Sequence, residues 1–418
     1  MAFLCRRISR IFAILTLLGY IAKQKLKIKS VIMKILYVYF HCYADMPYHV
    51  REWVEAAIEL GHEVTVVTAI DPEFLKSINW DKNVDVRQVE YPGGGISNYF
   101  VLLKNFKATI QKVIEDNNPD LIYERFSQIS PATAKIAVKN AIPYSTEVNG
   151  IIENELALSG ASIIRQYFFK YIQKKVYSSC NKIITVTEQI KEWIIDKYSV
   201  PDKKVRTFNN GVNIDRFKPY DKLKVRKKFN IPENKFIIGF LGSLFPWCGL
   251  EHLIEAAEDV LQDYPDTLFL IGGGQEPVKS ELEKMVKAKD LNDYFIFSGQ
   301  ISWENAPEFI SAFDIGIETK EVKNHTSFSP LKIYSYLACE KPAIVPNITG
   351  VENLFKDNNI GFVFECGNST DLAEKICDFR RLPEKTICEL SRNARECVEK
   401  NYSWKKIVKE SLEFAVGS

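Results

Sequence analysis

The feature that most constrains this chain is an alternation of short apolar runs with amphipathic helical stretches, repeated in two series. From Lys34, KILYVYF is a continuous apolar run of the kind that a strand buried on both faces requires. In the following HVREWVEAAIELGHEVTVVTA, the residues Val50, Trp53, Val54, Ala57 and Ile58 fall on one helical stripe, and Gly61 stands where a helix C-cap belongs, ahead of the strand EVTVVTA. Strand, helix and strand joined by short connections predict a βαβ unit in a parallel sheet. DLIYERF, IPYSTEV and NKIITVT continue the pattern, so one doubly wound domain is expected over 33–215.

The stretch NNGVNIDRFKPYDK, rich in Asn, Gly, Pro and charge, reads as a linker, after which the series restarts with KFIIGFLGS. GLEHLIEAAEDVL places Leu250, Leu253, Ile254, Ala257, Val260 and Leu261 on one face, and TLFLIGGG, YFIFSG, DIGIE and PAIVP supply further strand-like runs. A second Rossmann-like domain is expected over 216–395, with NYSWKKIVKESLEFA forming a terminal helix within 396–418. At 418 residues the chain exceeds the roughly 250–300 residues at which a single core stops growing. The fold class is therefore α/β, two doubly wound domains.

Composition narrows the function. A formal net charge of +2 with 26% charged residues argues against a nucleic-acid binder. The nine cysteines are scattered singly with no C-x-x-C pair, which fits reduced thiols and a cytoplasmic setting. The five histidines show no zinc-site spacing and there is no D-x-D pair, so neither a metal nor a cofactor is expected. Residues 1–32 carry an apolar run from Phe12 to Ala22 between basic flanks. As a helix that run would rise about 17 Å, short of a roughly 30 Å hydrocarbon core, so it is expected to be an extension or an interfacial anchor in peripheral contact with the inner face of a membrane.

In open parallel sheets ligands sit beyond the carboxyl ends of the strands, where helix N-termini offer free N–H groups. In SFSPLKIYSYLACEKP, Ser329 is expected as the N-cap and Pro330 in the first helical turn. Lys332 then lies beside the free amides. A cation there opposes the helix dipole and calls for an anion, which a diphosphate would supply. In GFLGSLFPWCGLEHLIEAA, Gly242 and Ser243 follow a strand, and Ser243 with its neighbouring backbone can donate to a phosphate oxygen. Toward the other domain, Glu147 and Asn149 end the strand of IPYSTEVNG, Arg125 ends that of YERF, and Asp45 and His49 follow the first strand. Glu147 is placed to orient or deprotonate a hydroxyl, and Arg125 reads equally as half of a structural ion pair.

Taken together, NNGVNIDRFKP, GFLGSLFPWCGLEHLIEA, FSGQIS, SPLKIYSYLACEKPAIV and GVENLFKDNNIGFVFECGNSTDLAEKI resemble the retaining glycosyltransferases of family 4, over essentially everything from Met33 onward. The resemblance implies the GT-B fold, with two domains facing across a cleft and a last helix crossing back to the first domain. It implies a nucleoside diphosphate-sugar donor held by the second domain, and a glycan or lipid-linked acceptor hydroxyl held by the first. Within it, Gly299 belongs to the backbone that meets the base, and Lys332 stands in for the arginine and lysine that the commoner pattern has at Ser243 and Cys248. The paired glutamates of that pattern map to Ser327 and Ser335, which implies ribose binding weaker by about 1–2 kcal/mol. Glu340 replaces a glycine, at a strain of about 1 kcal/mol if its backbone is left-handed. Rival readings on the same fold are a nucleotide-sugar epimerase and a non-catalytic nucleotide-sugar-binding scaffold.

Overall fold

A computed structural model of the chain describes residues 32–40, 48–70, 75, 80, 82–90, 96–126, 130–151, 162–320 and 330–417. Asp45, Ser327 and Ser329, and the extension up to residue 31, lie outside the described residues.

The first sheet contains β1 (Lys34–Tyr39), β2 (Glu63–Thr68), β3 (Asp85–Gln88), β4 (Leu121–Arg125), β5 (Tyr144–Val148), β6 (Lys182–Thr185) and β7 (Val205–Thr207). Their order is β3-β2-β1-β4-β5-β6-β7, parallel throughout. Helices α1 (Tyr48–Glu59), α2 (Ile96–Asn117), α3 (Ala132–Lys139), α4 (Ile163–Ser179) and α5 (Glu188–Tyr198) flank it. The two faces of β1 explain its unbroken apolar run: Leu36, Val38 and Phe40 pack with α2 through α5, while Ile35, Tyr37 and Tyr39 pack beneath α1. Gly61 takes φ +93° just beyond α1, the left-handed stop expected of it.

The second sheet contains β8 (Phe236–Leu241), β9 (Thr267–Gly272), β10 (Phe295–Phe297), β11 (Ile315–Ile317), β12 (Ala343–Pro346) and β13 (Gly361–Phe364). Its order is β10-β9-β8-β11-β12-β13, again all parallel. Three helices matter below: α6 (Leu250–Asp263), α7 (Leu331–Ala338) and α8 (Glu384–Asn401). The strand order reverses between β8 and β11, so the switch point of this sheet lies at the ends of those two strands.

Chain crossings link the two halves. After α8, helix α9 (Trp404–Val416) leaves the second domain and packs on α1, burying Trp404, Ile407, Val408, Leu412 and Ala415 in the core of the first. Where it crosses, Val212 donates to the Tyr402 carbonyl at 2.8 Å and accepts from Trp404 N–H at 3.2 Å. The outgoing and returning segments therefore run hydrogen-bonded side by side. Arg395 on α8 locks the junction by donating to the carbonyls of Ile214, Phe217 and Ala338, at 2.9, 2.6 and 2.6 Å.

Candidate active site

A cavity of about 510 Å³ lies between the two domains. Tyr48, His49 and Glu52 of α1 line one side; the other side comes from the loop after β8, from Gln300 to Trp303, from Lys320 and from the start of α7. The rings of Tyr48 and Trp303 stack at 4.4 Å, and Arg51 faces Glu304 at 3.7 Å, so the first turn of α1 and residues 303–304 bridge the cleft.

Helix α7 begins at Leu331, not at Pro330. Pro330 occupies the N-cap position with φ −85° and ψ 64°, and among the described residues no side chain caps the helix, which corrects the expected order of Ser329 as cap and Pro330 as first-turn residue. The reason is that its ψ is non-helical while its carbonyl already starts the ladder, accepting from Tyr334 N–H at 3.1 Å. Leu331 and Lys332 face the cavity, so an uncapped helix start opens onto it.

Lys332 sits in the first turn, as expected. Its Nζ lies 2.9 Å from Glu318 Oε2 and 3.2 Å from Oε1, and 4.5 Å from the centre of the Phe240 ring. The protein itself supplies one anion for this cation, because Glu318 is fully buried and pairs with it. Oε2 is close enough for an ion pair but lacks hydrogen-bond geometry, so the contact is electrostatic there and hydrogen-bonded at Oε1. Gly242 has a steric purpose: a Cβ on it would lie 2.8 Å from Lys332 Cδ, so the glycine makes room for the lysine stem.

Glu318 and Lys320 directly follow β11, at the switch point opposite Gly242 and Ser243, which follow β8. Sequence reading passed over both, although their place after a switch-point strand is the signal that could have marked them. Burial lowers the pKa of the Lys320 ammonium; Lys332 lowers it further and Glu318 opposes the shift. Two ammonium groups and one carboxylate thus stand together beside the helix start. Gln275 braces the same loop, its Oε1 accepting from Leu244 N–H at 2.8 Å and from Gly274 N–H at 3.3 Å.

Ser243 and Ser335 both line the cavity. The Ser335 hydroxyl donates back to the Leu331 carbonyl at 3.1 Å, leaving its oxygen as an acceptor for a ligand hydroxyl. Gly299 does not line the cavity; at φ +67° its carbonyl accepts from Gly273 N–H at 2.8 Å, and Gln300 and Ile301 present the surface instead.

On the opposite side only His49, among the described first-domain residues expected to act, reaches the cavity. Its Nε2 is sealed from solvent with no hydrogen-bond partner, and burial, reinforced by Arg125, holds the imidazole neutral at pH 7. Glu147, Asn149 and Arg125 form a separate cluster. Arg125 and Asn149 donate to Glu147 Oε1 at 3.0 and 2.7 Å, and the Tyr123 hydroxyl donates to Oε2 at 2.8 Å. Both oxygens of Glu147 are thus already engaged, and Glu147 and Arg125 form an ion pair at the end of β5. Glu52 joins the domains: it accepts from Asn213 N–H at 2.9 Å and from Arg216 at 3.1 Å, and burial pushes its carboxyl up to about 8 against the pull of that guanidinium.

Two domains face a cleft, with two lysines and a helix start on the second domain, an arrangement suited to an anionic ligand. Comparisons with known proteins agree. The model of glycosyl transferases group 1 matches residues 221–397, and that of glycosyltransferase family 4 matches residues 46–216. An uncharacterized glycosyltransferase of Methanocaldococcus jannaschii is 24% identical over 247 residues, 58% of this chain and 60% of the relative. The capsular polysaccharide biosynthesis glycosyltransferase CapM of Staphylococcus aureus is 24% identical over 59% of this chain and 64% of its own length. Among solved structures, Anabaena HepE in complex with UDP and glucose superposes with a TM-score of 0.72 at 18% identity, covering 91% of this chain and 98% of that one. The chain belongs to the family 4 glycosyltransferases of GT-B fold, enzymes that transfer a sugar from a nucleotide-sugar donor.

Among the described residues no helix is long and apolar enough to cross a membrane, no cluster of metal-ligating side chains occurs, and the described cysteines are free thiols.

Proposed function

We propose that the enzyme retains anomeric configuration and moves a hexose or related sugar from a nucleoside diphosphate to a hydroxyl of a glycan or lipid-linked glycan, in the assembly of a surface polysaccharide. The observation that carries this reading is the meeting of Lys332, Lys320 and the uncapped start of α7 at the interdomain cavity. As the bond between sugar C1 and the diphosphate oxygen breaks, negative charge grows on that oxygen. Two ammonium groups and the helix amides stabilise it without calling on a bound metal. The acceptor oxygen bonds to C1 on the face the diphosphate leaves, and the acceptor proton passes to the departing phosphate oxygen. No carboxylate base is then needed, in keeping with the occupied state of Glu147. His49 lines the acceptor side of the cavity, where its ring can contact the acceptor. The kind of acceptor is supported by the relative CapM, whose name places it in capsular polysaccharide biosynthesis.

The test is to incubate the purified protein with a panel of nucleoside diphosphate-sugars and follow release of the diphosphate, in the parent and in Lys332→Ala. The expected outcome is release by the parent from at least one donor and loss in the variant. If no donor is consumed while nucleoside diphosphate raises the melting temperature of both proteins equally, the scaffold reading replaces this one.

A further inference from the structure

The outward face of α4 carries the wrong residues for contact with water. Phe169, Ile172, Gln173, Val176 and Tyr177 bury one side of this helix against the first domain. At 100° per residue the opposite side should be polar. Instead its first turns expose Ile163, Ile164, Tyr167, Phe168 and Tyr171, with Ile164 at 82% of full exposure. Lys170, Lys174 and Lys175 are exposed among them, and the sequence of α4 contains no acidic residue. The first turns of α2 repeat the arrangement, with Phe100 and Val101 exposed near Lys104 and Lys107. Both helices flank α3 on one face of the sheet. In a parallel sheet each connecting helix runs back against its strands, so the first turns of α2 and α4 lie at the carboxyl ends, the end where the acceptor side of the cleft opens.

We infer that this end of the first domain rests on an anionic lipid bilayer, the exposed side chains of α4 entering the headgroup layer and its lysines meeting lipid phosphates. Aromatic and branched apolar groups interleaved with lysine, with no carboxylate, match the chemistry of that interface. A second copy of the chain is a poorer occupant. At a two-fold interface the patch would face itself, and three lysines would meet three lysines with no acid to offset them. The inference deepens the reading of a lipid-linked acceptor, since it sets the cleft mouth at the depth where the headgroup of such an acceptor would sit.

The experiment is co-sedimentation of the full chain, with no sugar donor present, on vesicles of equimolar phosphatidylglycerol and phosphatidylcholine and on phosphatidylcholine alone. Two variants accompany the parent: Lys170→Glu/Lys174→Glu/Lys175→Glu and Ile164→Ser/Tyr167→Ser, both at exposed positions where folding, checked by melting temperature, should be kept. The parent is expected to partition onto the anionic vesicles, with both variants weaker by more than roughly tenfold. Partitioning of either variant within that margin of the parent overturns the inference and moves any membrane contact elsewhere, residues 1–31 first. A parent that forms a dimer which the variants split, without lipid binding, overturns it in favour of a self-interface. Because binding is read without donor, a failed donor panel leaves this result standing, and the reverse holds as well.

Discussion

The ammonium of Lys332 lies 2.9 Å from a carboxylate oxygen of Glu318 that has no exposure to solvent, so the main candidate cation of the donor site arrives already paired. A diphosphate entering the cavity must share this lysine with Glu318 or draw it away. Lys332→Ala is expected to lower kcat/KM by about 10²–10³, the scale of losing one preorganised group that faces developing charge. Lys320→Ala should lower it less, since Lys332 and the helix start remain. Steady-state release of nucleoside diphosphate measures both.

Glu318→Gln keeps the shape of the side chain and removes its charge. The site then gains one net positive charge, and binding of a free nucleoside diphosphate is expected to tighten by roughly tenfold and to become more salt-sensitive. The fold should lose about 1–3 kcal/mol as the ammonium loses its partner, part of which added nucleotide restores. Titration calorimetry at two salt concentrations decides the sign; weaker binding would mean that Glu318 serves to aim Lys332.

Gly242→Ala puts a methyl 2.8 Å from Lys332 Cδ. The lysine stem is flexible, so it yields rather than the backbone, and stability should change by less than about 1 kcal/mol. Turnover should fall several-fold because the ammonium is displaced. Melting temperature and activity, measured together, separate the two effects.

Glu124 gives the first domain a pH-sensitive core. Its carboxyl is buried, accepts from the Thr133 hydroxyl at 2.7 Å and from the Tyr144 hydroxyl, and burial pushes its pKa up to about 7 despite those two donors. The folded pKa lies above the unfolded one, so the favourable contribution is complete below about pH 4.5 and is lost as pH rises through about 7. Between about pH 5 and about pH 8 the parent should lose up to about 3 kcal/mol relative to Glu124→Gln, with Glu52 adding to the same trend. Thermal unfolding across that range tests it; parallel curves for parent and variant would contradict it.

The alternation of apolar runs and helical stripes made the two sheets legible in the sequence, because a strand buried on both faces has no polar positions and a helix on its flank has a fixed period. Lys332 was legible for the same kind of local reason, a cation placed next to a helix start. Glu318 was not: it follows a three-residue strand, and nothing nearby in sequence shows that the lysine fourteen residues on folds back to it. The stack of Tyr48 on Trp303 joins opposite walls of the cleft, and no local pattern encodes a contact that depends on how two domains meet. Glu340 was legible in part: the left-handed φ of 58° is present, at a position where glycine would relieve the strain.

The crossing of α9 also orders events during synthesis. The first domain is translated first, yet Trp404, Ile407, Val408, Leu412 and Ala415, each worth about 1.5–3 kcal/mol for its larger members, reach its core only after the whole second domain has left the ribosome. The second sheet and its helices are contiguous in the chain and can close as soon as they emerge. The earlier half therefore waits, with the apolar underside of β1 and α1 uncovered, for the later half to finish.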